Sequence, residues 1–215
     1  RVDNGDQPNS RWYSGCGIYR HVYLVKTQNV RVAHWGTYIS CNKVSETDAK
    51  VNIKVELVTN ESKAVKTSVS NSLMDASGKV LERKDTTVMV APSPSRTLLC
   101  QQMGVSRPIL WSIDNPYLYK VLTVVHQGGR IVDTYNTPIG IRTFKFDPDY
   151  GFFLNGKNMK INGVCDHHDL GCLGAAINED ALHRQLVLLK NMGCNAIRCS
   201  HNPPAPELLN MADSM

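Results

Sequence analysis

The sequence contains no long hydrophobic run. None of its apolar stretches approaches the roughly 18 residues that a membrane-spanning helix needs, so we predict no membrane partner. The opening stretch RVDNGDQPNSRWYSG is polar and lacks the apolar centre of a secretory signal peptide. The compartment stays open, because such a start is compatible with a periplasmic or extracellular parent protein and also with a cytoplasmic one.

Clusters of basic residues are also missing. The net charge is +5, but the 24 lysines and arginines are scattered, and no basic run is interleaved with aromatic residues. A surface that binds nucleic acid usually concentrates its positive charge on one face. We therefore predict no nucleic-acid partner and interpret the mild basicity as solvated surface.

The cysteines show neither an even count nor a regular spacing. A disulfide framework usually has both, and a structural zinc site usually has a close CxxC pair, which this chain lacks. We expect reduced, mostly buried thiols, no cofactor and no metal site. The seven cysteines are Cys16, Cys41, Cys100, Cys165, Cys172, Cys194 and Cys199.

The first two thirds of the chain have the pattern of β-strands. The segment VNIKVELVT alternates strictly, with Val51, Ile53, Val55 and Leu57 on one face. Similar segments follow at short spacing, with turns at residues 76–78 and 128–129, and no helical pattern separates them. This arrangement predicts a β-sandwich of about seven strands. The aromatic residues predicted to pack in it are Trp12, Trp35, Trp111, Tyr117 and Tyr119.

After about residue 146 the pattern changes to alternating strands and helices. A hairpin with its turn at Asn155-Gly156 leads into a strand, and a helix follows that Asn178 can cap and Gly193 can end. NAIRCS then predicts a second, buried strand, and APELLNMADSM predicts a second helix. The fold class is therefore mainly β: a sandwich followed by the first β/α units of a barrel or doubly wound sheet.

Two polar clusters follow the two predicted α/β strands, GVCDHHDLG after the first and RCSHNPP after the second. In an α/β barrel the carboxyl ends of the strands build the active site. Three functional interpretations compete: a metal site, although the spacings match no standard zinc pattern, a Cys199–His201 nucleophile pair, or a pocket whose polar side chains bind a hydroxyl-rich ligand. A structural role is open as well, because a histidine or cysteine at a strand end often only packs.

Taken together, these segments resemble glycoside hydrolase family 2, the β-galactosidase family. QPNSRWYSGCGIYRHVYL resembles the end of the family's sugar-binding jelly roll, and WSIDNPYLYKV with IGIRTFKF resembles its immunoglobulin-like domain. FFLNGKNMKINGVCDHHDLGCLG and the stretch from LKNMG to the end resemble the opening of its TIM barrel. The resemblance implies three domains, at residues 1–31, 32–145 and 146–215.

The resemblance also implies retaining hydrolysis of terminal β-galactosides, a reaction that uses two carboxyl groups about 5 Å apart. In the family both are glutamates on later barrel strands, so we expect no catalytic residue in this chain and no activity of the chain alone. Glu179 opens a predicted helix and fits a capping role. The remaining glutamates match no catalytic position: Glu46, Glu56, Glu61, Glu82 and Glu207.

What the chain retains from the family's site is its sugar-binding part. The resemblance assigns substrate contacts to His167, Arg198, His201 and Asn202, with His168 as an alternative to His167. The implied partner is a β-galactoside, and a homo-oligomer is compatible with the family. β-Glucuronidase or β-mannosidase activity is an alternative, as is a non-catalytic carbohydrate-binding or adhesion module.

Overall fold

The computed structural model describes residues 17–215, which divide into two compact units. One unit comprises residues 25–161 with residues 213–215, and the other comprises residues 17–24 with residues 162–212. The predictions for Trp12, for Cys16 and for most of the jelly-roll segment lie outside the described residues. Neither helix in the described part of the chain combines the length and the apolar character needed to cross a membrane.

The larger unit contains the predicted seven-stranded sandwich. One antiparallel sheet has the strand order β1-β2-β5, and the other has the order β4-β3-β6-β7. The strands are β1 Val30–Asn42, β2 Asp48–Thr59, β3 Val65–Met74, β4 Val80–Val90, β5 Thr97–Ser106, β6 Tyr119–Gln127 and β7 Arg130–Ile139.

The sandwich core forms where the alternating strands turn their apolar sides inward. Val51, Ile53, Val55 and Leu57 of β2 are at most 1% exposed, as their alternation predicts. They pack in one cluster with residues of the opposite sheet such as Leu73. Burial of this apolar surface is the main favourable contribution to the stability of the unit.

A buried polar network crosses this core. Asn71 of β3 is fully buried and accepts a hydrogen bond from the hydroxyl of Thr123 on β6. The amide of Asn71 donates to Oε1 of Gln101 on β5 (3.0 Å), whose own amide donates to Thr86 on β4 (2.8 Å). The network therefore links both sheets, and its polar groups avoid the penalty of burial without partners.

The prediction that Trp35 packs in the core is wrong. The register of β1 against β2 shifts between Val32 and Thr37, and this bulge turns Trp35 outward, where it is 74% exposed. Trp35 has a left-handed backbone (φ 52°) and its ring stacks on His34. The bulge depends on Gly36, because a Cβ there would lie 2.7 Å from the carbonyl oxygen of Ala33.

The packing predictions for Tyr117 and Tyr119 are confirmed. Tyr119 is 4% exposed and its hydroxyl accepts a hydrogen bond from the backbone N–H of Ile109 (2.8 Å). Tyr117 packs against the core and meets the ring of Tyr119 edge to face. Trp111 is half-buried. The two tyrosines are therefore part of the packing and do not form an exposed aromatic face.

The prediction that the thiols are mostly buried is wrong. All six cysteines in the described part of the chain are free. Cys100, Cys165 and Cys172 are exposed, and the other three are only half-buried. Cys100 is exposed because it lies on the solvent side of β5, between residues that face the core.

The predicted hairpin follows the sandwich. Its turn residues Asn155 and Gly156 both have positive φ (51° and 77°), which is the backbone of the tight turns that join two adjacent antiparallel strands. The three strands of this small sheet are β8 Phe144–Asp147, β9 Gly151–Leu154 and β10 Lys157–Asn158, in the order β10-β9-β8.

The smaller unit has the predicted strand-helix-strand-helix order. The elements are β11 Gly163–Asp166, a 3₁₀ turn at Gly171–Leu173, α1 Glu179–Asn191, β12 Ala196–Cys199 and α2 Pro206–Ser214. Asn178 caps α1 as predicted, since its side chain accepts a hydrogen bond from the backbone N–H of Ala181 (2.9 Å). Leu182 and Leu186 form the buried side of α1.

The prediction that β12 is buried is wrong. Its Arg198 is exposed and its other residues are half-buried. In the described residues β12 pairs only with β11, in parallel. A parallel strand is buried on both faces only when further strands and helices flank it.

Candidate functional site

The two parallel strands bring the predicted polar clusters to one edge. Cys165 lies opposite Arg198 and Asp166 opposite Cys199, so β11 and β12 end at the same level. Their close approach requires Gly163, because a Cβ there would lie 2.6 Å from the carbonyl oxygen of Ala196. The side chains that follow the two strands therefore meet, although they are distant in sequence.

His167 and His201 face each other across this edge. Their ring centroids are 6.0 Å apart and the rings meet edge to face at 83°. His167 is half-buried and His201 is exposed, so both rings reach solvent. Two neighbouring imidazoles offer hydrogen-bond donors and acceptors that suit vicinal hydroxyl groups.

Arg198 is held at the end of β12 by its neighbours. Its guanidinium donates to Oγ of Ser200 (3.0 Å) and lies 3.7 Å from Sγ of Cys165. Ser200 is only 3% exposed, and its backbone N–H donates to the carbonyl oxygen of Asp166 (2.8 Å). The serine therefore orients the arginine, which as a whole residue stays exposed.

His168 and Asn202 form a second contact between the clusters. Nδ2 of Asn202 lies 3.2 Å from Nδ1 of His168. The His168 ring also stacks on Tyr19, with the centroids 5.5 Å apart. The described contacts of His168 are thus with residues that pack within the same unit, whereas the ring of His167 faces His201.

A small cavity of about 30 Å³ lies beneath these residues. It is bordered by both histidines of the first cluster, by Ser200 and by Asp166. Loss of hydration raises the pKa of Asp166, the negative charge of Asp169 raises it further, and His167 lowers it. Gln185 of α1 donates a hydrogen bond to the Asp166 carboxylate (3.3 Å).

Sequence reasoning missed the contribution of residues 17–24 to this unit. The backbone carbonyl of Tyr19 accepts a hydrogen bond from the N–H of Ile177 (3.2 Å), and Arg20 donates to the carbonyl oxygen of Pro203. From the sequence alone, this segment resembles only the end of a preceding domain. No local pattern signals these contacts, because their partners lie far along the chain.

A second group forms where this segment meets the two helices. Nε2 of His21 lies 4.0 Å from an oxygen of Glu179 and 3.9 Å from an oxygen of Glu207. The carboxylates begin α1 and α2, and Glu179 thus occupies the first helical turn as predicted. The ligand atoms of the three residues all lie within 4.8 Å of one another, so the two carboxylates are about as close as a retaining glycosidase pair. His21 contacts both of them, however, and neither glutamate ends a strand.

Comparison with known proteins identifies the family to which both units are related. The family model for glycosyl hydrolases family 2 matches residues 30–142, more than half of the chain. The model for the TIM barrel domain of the same family matches residues 148–215. The second unit therefore corresponds to the start of a TIM barrel, in agreement with the predicted fold class.

Individual relatives agree with this assignment. The chain is 52% identical to the β-galactosidase BoGH2A of Bacteroides ovatus over 100% of its own length and 25% of that protein. It is 32% identical to a β-glucuronidase of Bacteroides fragilis, over 99% of the chain and 32% of that protein. The chain thus spans between a quarter and a third of the length of these relatives.

A solved structure of a family 2 glycosyl hydrolase from Bacteroides cellulosilyticus superimposes with a TM-score of 0.90 at 39% identity, covering 96% of this chain and 26% of that one. A β-glycosidase from Bacteroides vulgatus gives a TM-score of 0.87 at 35% identity, covering 100% of this chain and 26% of that one. On the sequence matches and these structures together, the chain belongs to glycoside hydrolase family 2.

Proposed function

We propose that this chain is part of a retaining β-galactosidase and that it supplies sugar-binding side chains to the active site. The observation that carries the proposal is the meeting of His167 and His201 at the shared carboxyl end of β11 and β12, the edge on which barrel enzymes build their sites. The 52% identity to a protein named β-galactosidase supports the sugar.

Each side chain has a role that its geometry supports. His167 and His201 bind neighbouring hydroxyl groups of the terminal sugar. Arg198, oriented by Ser200, donates hydrogen bonds at the rim of the site. Asn202 acts through His168, whose ring it orients.

The chemical step belongs to carboxylates outside this chain. Retaining hydrolysis needs a nucleophile and an acid/base about 5 Å apart on either side of the glycosidic bond. Of the glutamates here, Glu179 and Glu207 are close together, but both lie beside His21 in the first turns of helices and neither ends a strand. We therefore assign the chain to substrate binding, and the catalytic pair to the remainder of a longer enzyme.

The test compares the chain alone with the full-length enzyme on nitrophenyl β-D-galactoside. We expect turnover only by the full-length enzyme. Hydrolysis by the purified chain would overturn the assignment of the catalytic carboxylates. A full-length enzyme that leaves the galactoside intact would overturn the proposed substrate.

β-Glucuronidase activity is the second candidate, because a relative with that name is 32% identical over nearly the whole chain. The same assay with nitrophenyl β-D-glucuronide separates the two. We expect a kcat/KM for the galactoside at least 100-fold higher. The reverse ratio would assign the enzyme to glucuronides, and preference for nitrophenyl β-D-mannoside would exclude both.

A further inference from the structure

We propose that His21, Glu179 and Glu207 form a binding site for a divalent transition-metal ion of the zinc type. The three residues come from the segment before the sandwich and from the first turns of two different helices. Their potential ligand atoms all lie within 4.8 Å of one another. Because the three residues are far apart in the sequence, it is the fold that brings them together.

The distances between the three ligand atoms are slightly longer than those expected around a bound zinc ion. The His21 nitrogen is 4.0 Å and 3.9 Å from the two carboxylate oxygens. Ligands of a tetrahedral zinc lie about 2.0–2.2 Å from the metal, which places them about 3.3 Å from each other. Small side-chain rotations close that difference, because the Glu179 and His21 side chains are 63% and 41% exposed.

The charge balance favours a cation. In residues 17–215 the ion-pair partner of both carboxylates is His21, and neither is paired with a lysine or an arginine. The two carboxylates thus bring two negative charges together beside a single imidazole. A divalent ion neutralises them and keeps the imidazole neutral, as metal binding requires.

Tyr23 provides an independent sign that the site is organised. Its hydroxyl donates a hydrogen bond to Oε1 of Glu207 (3.4 Å), and its ring lies edge to face with that of His21. Groups that orient a ligand in this way are a regular part of metal sites.

The ligand types indicate which metal. One imidazole nitrogen with two carboxylate oxygens suits zinc and its neighbours better than magnesium or calcium, which prefer oxygen alone. Three protein ligands leave one tetrahedral position for water. Such an ion would tie residues 17–24 to the starts of α1 and α2. It carries no step of the glycosidase reaction.

The test is titration of the metal-free full-length enzyme with zinc chloride by calorimetry, together with its melting temperature with and without zinc. We expect one bound ion and a rise in melting temperature. His21→Ala and Glu207→Gln should each lower the affinity at least 100-fold, and Tyr23→Phe about 10-fold.

His183→Ala is the matched control, since this histidine is exposed on α1 and lies outside the group. It should bind zinc like the parent enzyme. Absence of zinc binding by the parent enzyme, or equal binding by the parent, His21→Ala and Tyr23→Phe proteins, would overturn the proposal. Tyr23→Phe keeps the test valid where a ligand variant fails to fold.

Discussion

His167 and His201 meet edge to face with their ring centroids 6.0 Å apart, each following a different one of two parallel strands. If both bind sugar hydroxyls, replacing either one removes a hydrogen bond worth about 1–3 kcal/mol. We expect His167→Ala and His201→Ala each to lower kcat/KM of the full-length enzyme for nitrophenyl β-D-galactoside about 10- to 100-fold.

The control for these variants is His168→Ala, measured in the same assay. His168 contacts Tyr19 and Asn202, so its loss should reduce activity less than the loss of His167. A larger effect at His168 would show that the sugar-binding histidine had been assigned to the wrong one of the two neighbours.

The buried network of the sandwich gives a prediction about stability. Asn71→Ala leaves the buried Thr123 hydroxyl without its partner, and it removes one of the two hydrogen bonds of the half-buried Gln101 side chain. Each unpaired buried group costs about 1–3 kcal/mol. We expect a fall of about 2–4 kcal/mol in the free energy of unfolding, measured by urea denaturation.

Asn136→Ala serves as the matched control, because Asn136 lies exposed on β7. It should change the free energy of unfolding by less than about 0.5 kcal/mol. Equal effects of the two substitutions would contradict the role assigned to the network.

Asp166 predicts a stability that depends on pH. Its pKa is raised in the folded protein by loss of hydration and by Asp169, relative to the ordinary value of 3.8. A carboxyl group of this kind stabilises the fold below its unfolded pKa, and that contribution is lost as the pH rises through the folded pKa. Asp166→Asn cannot ionise and still accepts the hydrogen bond from Gln185.

We therefore expect Asp166→Asn to melt at a higher temperature than the parent protein at pH 7, with the difference shrinking towards pH 4. Melting curves across this range check it. Asp180→Asn, a change at the exposed start of α1, should give no such gain, because it removes a favourable charge near the helix N-terminus. A variant less stable than the parent at pH 7 would argue that the Asp166 carboxylate is stabilising.

The cysteines should differ in their reactivity. Burial raises the pKa of Cys41 to about 11, although Arg142 lowers it, whereas Cys100 and Cys172 are exposed. Alkylation needs the thiolate. With iodoacetamide at pH 8 we expect Cys100 and Cys172 to be modified at least 10-fold faster than Cys41, as peptide mass spectrometry would show. Comparable rates would contradict the burial of Cys41.

Predictions from sequence succeeded where the determining interactions are local. The alternation from Val51 to Leu57 specifies one buried side of a strand, and Asn178 caps a helix that begins at the next residue. Asn155 and Gly156 likewise specify a tight turn by their own backbone preferences. In each case the signal and the structure lie within one short segment.

Predictions from sequence failed where pairing with a distant strand or segment determines the local structure. Trp35 is exposed because β1 shifts its register against β2, which no pattern around Trp35 encodes. The contacts of Tyr19 with Ile177 and of His21 with Glu207 join residues far apart in the chain. The meeting of the carboxyl ends of β11 and β12 was predictable, because parallel strands place their carboxyl ends at one edge.

The seven strands of the sandwich follow one another between Val30 and Ile139, and in the described residues no strand from elsewhere joins its two sheets. During synthesis this domain can therefore fold as soon as its last strand leaves the ribosome, since domains generally fold as units from the N-terminal side. β11 and β12 must wait longer, because two parallel strands bury little surface by themselves. The sandwich would then already be folded on the nascent chain while the proposed sugar-binding residues are still being assembled.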